Sequence, residues 1–190
     1  QDAAETMATA LEFDSQLNSV KAVAMPAAVS PRVSAAAIAL AQRVVTELDG
    51  VGAFAVEMFV TADEELLINE ISPRVHNSGH VTLDACNVSQ FEQHVRAVTG
   101  LPLLAVEYKS PAVMLNILYT EAIRQRCPAE PVTDRATHPG AALYWYGKAP
   151  GTEGRKMGHI NALGESVSAA HELADRALQK LSGNNSEQAA

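Results

Sequence analysis

Apolar residues recur at helical spacing through Val33, Ala37, Leu40, Val44 and Leu48, and from Val51 the period shortens to that of a sheet. Ser30 followed by Pro31 reads as an N-cap with proline at the first helical position, so a helix is predicted over 31–48, closed by Gly50. Val20 to Met25, ended by Pro26, reads as a strand. Residues 53–60 and 65–71 are rich in Val, Ile, Leu and Phe and flank the polar run TADEE, the pattern of a β-hairpin that Pro73 brings to an end. Ser89 with Glu92 forms a capping box, and Phe91, Val95 and Val98 share a face before Gly100, which predicts a helix over 89–99. After Leu101-Pro102, strands are predicted at 112–118, 141–146 and 157–163. A last helix over 168–182 sets Ala170, Leu173, Ala174, Ala177, Leu178 and Leu181 in one stripe, with Lys180 and Gly183 marking its C-terminus. The expected class is α+β, with an internal boundary near 101–111. The division is 1–105, a β-rich domain over 106–183, and a flexible tail over 184–190.

Composition narrows this picture. The chain has 190 residues, 47% of them hydrophobic, enough for a real core. Its net charge of -8, from 22 acidic and 14 basic residues, argues against a general nucleic-acid binder and leaves room for a local basic pocket. Cys86 and Cys127 are too few and too scattered for a disulfide framework or a zinc site, so a reducing cytoplasm is expected. No run approaches the roughly 18 apolar residues of a membrane span. The first residues lack the basic-then-apolar order of a secretory signal, and a start at Gln rather than Met points to a fragment.

Three places carry candidate chemistry. In a hairpin symmetric about Asp63 and Glu64, Val60 faces Leu67 and Glu57 faces Glu70. Like charges opposite each other destabilise a sheet, by roughly 3 kcal/mol at about 5 Å and an effective dielectric near 20. A raised pKa on one Glu, or a divalent cation between them, offsets that cost. Two carboxylates beside the Asn69 amide suit Mg²⁺ with a nucleotide phosphate; the alternative is that both side chains simply face solvent. The second place is the loop after the strand. Arg74 can grip an anion, and His76, Asn77 and Ser78 add donors beside Gly79. His76 and His80 are four apart, yet Pro73 and Ser78-Gly79 argue against a helix that would make them a metal pair. The third is YGKAPGTEGRKMGH, in which Lys148, Arg155 and Lys156 flank a glycine-rich loop. It is a candidate phosphate site without the order of a P-loop, or else a solvated hairpin loop. His94 and His171 read as surface or packing residues, Trp145 as packed in a strand, and Cys86 as unactivated.

The run GVGAFAVEMFVTADEELLINEISPRVHNSGHVTLDACNVSQFEQHVRAVTGLPL closely resembles the ATP-grasp enzyme family of 5-(carboxyamino)imidazole ribonucleotide synthase, the ATP-dependent carboxylase of purine biosynthesis. ALYWYGKAPGTEGRKMGHINAL resembles the small C-terminal domain of the same family. The match is strong over 50–105 and 140–165, loose over 20–50 and 165–182, and nearly absent in the first twenty residues. The resemblance implies the C-terminal half of an ATP-grasp module, an antiparallel sheet with helices, followed by a small β-rich domain. It implies Glu57 and Glu70 as ligands of Mg²⁺ or Mn²⁺ on ATP, with Asn69 and Glu70 toward the nucleotide. Arg74, His76 and Asn77 would lie where bicarbonate becomes carboxyphosphate, and Lys148, Arg155 and Lys156 at the 5′-phosphate of 5-aminoimidazole ribonucleotide. A cytoplasmic homodimer without nucleic-acid or membrane partners is implied as well. Nothing in residues 1–30 resembles the family's phosphate-binding lysines, glycine-rich loop or adenine segment, so the chain by itself is expected to be inactive. Two other readings stay open: another ATP-grasp ligase of purine synthesis, and a non-catalytic remnant serving as a binding or oligomerisation module.

Overall fold

A computed structural model describes residues 9–14, 19–125, 128–136, 139–149 and 151–183. Cys127, Pro150 and the tail at 184–190 lie outside the described residues. The chain forms two compact units, one over 25–109 and the other joining 11–24 to the residues from 110 onward. No helix among the described residues is long and apolar enough to cross a membrane.

The chain opens with β1 (Ala10–Asp14) and β2 (Ser19–Met25), followed by α1 (Pro31–Glu47). Ser30 caps α1 by accepting from the Val33 amide at 3.3 Å, as its sequence predicts. The residue that closes the helix is Asp49, with φ 48°, and not Gly50. Asp tolerates the left-handed region. Gly50 is small for a different reason: a Cβ there would run into the Phe54 ring.

The hairpin is β3 (Ala55–Val60) and β4 (Leu66–Ser72). Its register is not the symmetric one. Val60 faces Leu66, Phe59 faces Leu67 and Met58 faces Ile68; then the ladder slips by one residue, and Glu57 faces Glu70. Asn69 is the residue left over, a β-bulge that restores the pairing of the two carboxylates. At the turn, Glu64 takes φ 60° and bonds Arg32 at the start of α1. That guanidinium, helped by Ser30, holds the Glu64 carboxyl below the usual range.

Beyond β4 a 3₁₀ turn (Asn77–Val81) runs into α2 (Thr82–Ala85), so the segment read as too irregular for a helix is helical. Next comes α3 (Gln90–Val98), capped by Ser89, which accepts from the Glu92 amide at 3.2 Å. The predicted capping box is only half made. The Glu92 carboxylate goes to Arg96 at 2.9 Å instead of returning to the cap. The face of Phe91, Val95 and Val98 also stays exposed, at 38%, 54% and 53%. The helix is docked by its polar residues. Gln93 donates to Leu104 O at 2.6 Å and accepts from Leu104 N at 3.1 Å, His94 Nδ1 accepts from Ala53 N at 3.0 Å, and Arg96 donates to Pro102 O. Asn87 holds the same irregular segment through Ala105 O and Glu107 N.

The second unit is a six-stranded sheet in the order β1-β2-β5-β8-β7-β6, built with β5 (Ala112–Leu118), β6 (Val132–Asp134), β7 (Ala141–Trp145) and β8 (Lys156–Leu163). A short α4 (Glu121–Arg124) follows β5, and α5 (Val167–Ser182) packs on one face of the sheet. The predicted stripe is the one that packs: Ala170, Ala174 and Ala177 are buried against Val113, Leu115, Ile117, Ile160 and Ala162, flanked by Leu173, Leu178 and Leu181. Small residues on the helix let its axis lie close to the strands. Gly183, at φ 79°, ends α5 as expected. Trp145 is buried and donates Nε1–H to Pro128 O at 2.7 Å, a packing role as read.

At Gly158 two strands pass so close that a Cβ would overlap the Tyr144 carbonyl oxygen and lie 3.2 Å from Trp145 Cα. Both are backbone atoms that cannot turn aside. Gly158→Ala is expected to destabilise the chain by about 2–3 kcal/mol, read as a lower urea midpoint at unchanged slope.

Candidate functional site

In the first unit the bulge at Asn69 turns Glu57 and Glu70 to one side of the hairpin, and the chain reversal at Pro73 brings His76 back over them. His76 Nδ1 lies 3.9 Å from Glu57 Oε1, and Nε2 lies 3.8 Å from Glu70 Oε1. The imidazole and the Glu57 carboxylate are sheltered, at 14% and 16% side-chain exposure, while Glu70 is open at 54%. Asn69 Nδ2 reaches Glu57 Oε2 at 3.5 Å, and the Ser72 hydroxyl donates to Glu70 Oε1 at 3.3 Å. Ser78 meets His76 at Nδ1, with its hydroxyl at 2.9 Å.

One donor atom from each of Glu57, Glu70 and His76 falls within 4.8 Å of the other two. Two oxygens on one Mg²⁺ lie at most about 4.2 Å apart, and on a larger cation about 4.8 Å. The set therefore fits one divalent ion with small side-chain movements. The oxygen-rich donors favour a hard cation, with His76 as an added ligand. The geometry rules out the His76–His80 pair. His80 Nδ1 instead takes Gln90 Nε2 at 2.8 Å, and its ring stacks on Phe91 with centroids 5.4 Å apart.

The remaining sequence candidates divide. Arg74 is exposed and donates to Val75 O at 3.0 Å, and Asn77 opens the 3₁₀ turn that follows. Cys86 is buried, and burial pushes its thiol up against a smaller pull from Lys109, which agrees with an unactivated cysteine. Gln90 carries no site signal in the sequence beyond its place directly after the Ser89 cap.

In the second unit, Lys148 follows Tyr146 and Gly147 out of β7. Its Nζ donates to Lys156 O at 2.9 Å and lies 4.8 Å from the Tyr146 ring centroid. Partial burial, and then the charge of Arg155, hold the Lys148 ammonium below the ordinary lysine range. Arg155 donates to Ala149 O at 3.3 Å. Both side chains are thus held on backbone carbonyls. Lys156 serves Lys148 through its carbonyl. The Tyr146 hydroxyl is 2.7 Å from His159 Nδ1, and His159, 2% exposed, stacks on Tyr144 at 4.5 Å. Tyr146 and His159 are the two ends of the YGKAPGTEGRKMGH segment, but its sequence gives no sign that they meet.

Residues 6–91 match the ATP-grasp domain family, and residues 112–173 match the phosphoribosylaminoimidazole carboxylase C-terminal domain. The N5-carboxyaminoimidazole ribonucleotide synthase of Bacillus subtilis is 48% identical over 136 residues, 72% of this chain. The chain belongs to the N5-carboxyaminoimidazole ribonucleotide synthase family. It spans about a third of that relative, 34% of its length. The family's solved structures agree in fold. The synthetase of Thermotoga maritima superposes with a TM-score of 0.72 at 42% identity, over 83% of this chain and 44% of that one. The synthase of Aspergillus clavatus, solved with ADP and 5-aminoimidazole ribonucleotide, gives 0.74 at 33% identity, over 93% of this chain and 45% of its own. The α+β class inferred from the sequence is that of an ATP-grasp family member.

Glu70→Gln is expected to weaken Mn²⁺ binding at least about ten-fold, by removal of a charged ligand. In metal-free buffer it should raise stability by up to about 1 kcal/mol through relief of the like-charge pair. Calorimetric titration and thermal unfolding read the two effects. For Lys148 the sign is that of a base whose folded pKa is depressed. The unfolded chain binds more protons between the two pKa values, so the folded chain gains stability as pH rises through that window. An anion bound beside Lys148 should move its ¹³Cε titration back upward, with inorganic phosphate as the probe.

Proposed function

We propose that the protein takes part in the ATP- and bicarbonate-dependent carboxylation of 5-aminoimidazole ribonucleotide in purine biosynthesis. The observation that carries this reading is the pair of facing carboxylates, Glu57 and Glu70, held with His76 within the reach of one cation. In the reaction, a bicarbonate oxygen attacks the γ-phosphorus of ATP and the bond to the β-phosphate breaks, giving ADP and carboxyphosphate. The amine of the ribonucleotide then attacks the carboxyl carbon, and phosphate and a proton leave.

Glu57 and Glu70, with Asn69 beside them, would hold Mg²⁺ or Mn²⁺, which draws charge from the nucleotide phosphates when bound. His76 lies beside both carboxylates, and its Nδ1 accepts from the Ser78 amide at 3.4 Å, so the ring presents Nε2 toward Glu70 without turning. Arg74 and Asn77 supply further donors for bicarbonate and carboxyphosphate from the loop that begins at Pro73. Lys148 and Arg155 hold the ribonucleotide 5′-phosphate, with Lys156 fixing Lys148 through its carbonyl. The Lys148 ammonium is depressed first by burial and then by Arg155, and a bound phosphate would offset both by favouring its charged form. The cytoplasm and a homodimeric state, without nucleic acid, complete this reading on the strength of the resemblance.

The test is a chimera in which residues 20–183 replace the matching stretch of the Bacillus subtilis relative, assayed for ADP release with bicarbonate. ADP release that depends on 5-aminoimidazole ribonucleotide, and is lost in Glu70→Gln, is the expected result. A folded chimera that hydrolyses ATP without regard to the ribonucleotide would point to another ATP-grasp ligase and overturn the substrate.

A further inference from the structure

The loop that carries His76 is held from behind by one side chain. Gln90 Oε1 accepts from the His76 amide at 2.9 Å, and Gln90 Nε2 donates to the His76 carbonyl at 2.7 Å. The carboxamide thus pairs with His76 as a neighbouring strand would, at a point where the chain has left the sheet. This pairing fixes which end of the amide is oxygen, since a backbone N–H needs an acceptor and a carbonyl needs a donor. The second Nε2 hydrogen points to His80 Nδ1 at 2.8 Å, which makes that nitrogen an acceptor and puts the His80 proton on Nε2.

Three other features serve the same contact. Gln90 is the first residue of α3, and its own backbone amide, an orphan donor at a helix start, goes to Thr82 Oγ1 at 2.9 Å. Thr82 in turn donates to Gly79 O at 2.6 Å, so the base of the glutamine and the 3₁₀ turn are tied to one hydroxyl. Gly79 leaves the space through which the carboxamide passes. A Cβ on Gly79 would overlap Gln90 Oε1 and lie 2.6 Å from Gln90 Cδ. An ordinary surface glutamine has no such corridor.

We infer that Gln90 is the positioning residue of the carboxylate–histidine site, a clamp that sets the height of His76 over Glu57 and Glu70 and works only because residue 79 is glycine. The inference rests on the reading of Glu57, Glu70 and His76 as a cation site. Partners that orient a ligand from behind commonly change metal affinity by about 10–100-fold when removed.

The test uses the 190-residue chain, with Mn²⁺ as probe, and the hydrogen exchange of the His76 amide as a second readout that needs no metal. Gln90→Ala and Gln90→Glu should each weaken Mn²⁺ about ten-fold or more and expose the His76 amide to exchange. The glutamate keeps the volume and the acceptor but loses both donors, so its failure excludes a simple packing effect. Gly79→Ala should do the same by pushing the carboxamide aside. The double variant Gly79→Ala/Gln90→Ala should be no worse than Gln90→Ala alone, since the clash needs the glutamine. Normal Mn²⁺ affinity in Gln90→Ala, or additive losses in the double variant, would overturn the clamp. If the wild-type chain binds no Mn²⁺ while His76 exchange still responds to Gln90, the clamp stands and the cation reading falls.

Discussion

Two carboxylates held face to face across a two-stranded ladder repel each other, and the first unit is arranged around keeping them there. Their pairing needs the bulge at Asn69, because the five-residue turn alone would slide the strands by one position. A one-residue slip exchanges the two faces of a strand, and Glu70 would then lie opposite the wrong side chain. Arg32 pins the turn from outside, and Ser72 and His76 bring donors to the two acids. The like charges are thus gathered at one end of the hairpin, and under the proposed function a bound cation would turn their repulsion into binding energy.

The second unit shows the mirror-image arrangement, with Lys148 and Arg155 as neighbours on carbonyl oxygens. There the support is aromatic. The Tyr146 ring carries Lys148 on its face and passes its hydroxyl to the buried His159, which lies flat on Tyr144. The rigid sheet beneath α5 gives that column a fixed base, so a surface cation inherits the order of the core. In each unit, charge that would be costly alone is gathered deliberately and braced by neutral groups.

Much of this could be read from the sequence, and the parts that could not share a cause. The helices α1, α3 and α5, the hairpin and the central strands follow from local spacing, which the sequence displays directly. The Glu57–Glu70 pairing followed from a symmetric turn that does not exist; the shorter turn and the bulge offset each other, and nothing in the order of residues announces two cancelling shifts. The 3₁₀ turn at Asn77–Val81 was hidden because its stability comes from Gln90 and Thr82, farther along the chain, against the propensity of Ser78-Gly79. Strand β6 and helix α4 are too short for any period to show. The face of α3 was legible as apolar, but its docking depends on amide and imidazole groups reaching backbone atoms, a pattern that hydrophobic spacing cannot report.

That mode of docking has a thermodynamic consequence. A helix seated by an apolar face exposes oily surface when it lifts, and the event shows in heat capacity and in denaturant sensitivity. Helix α3 is seated through Gln90, Gln93, His94 and Arg96, while Val95 and Val98 are already more than half exposed and Phe91 is covered only in part, by His80. Its detachment would chiefly trade hydrogen bonds with the backbone for hydrogen bonds with water, baring little apolar surface beyond the covered part of Phe91. Such an opening is almost invisible to urea and to the curvature of a melting curve, yet it would release the loop that carries His76.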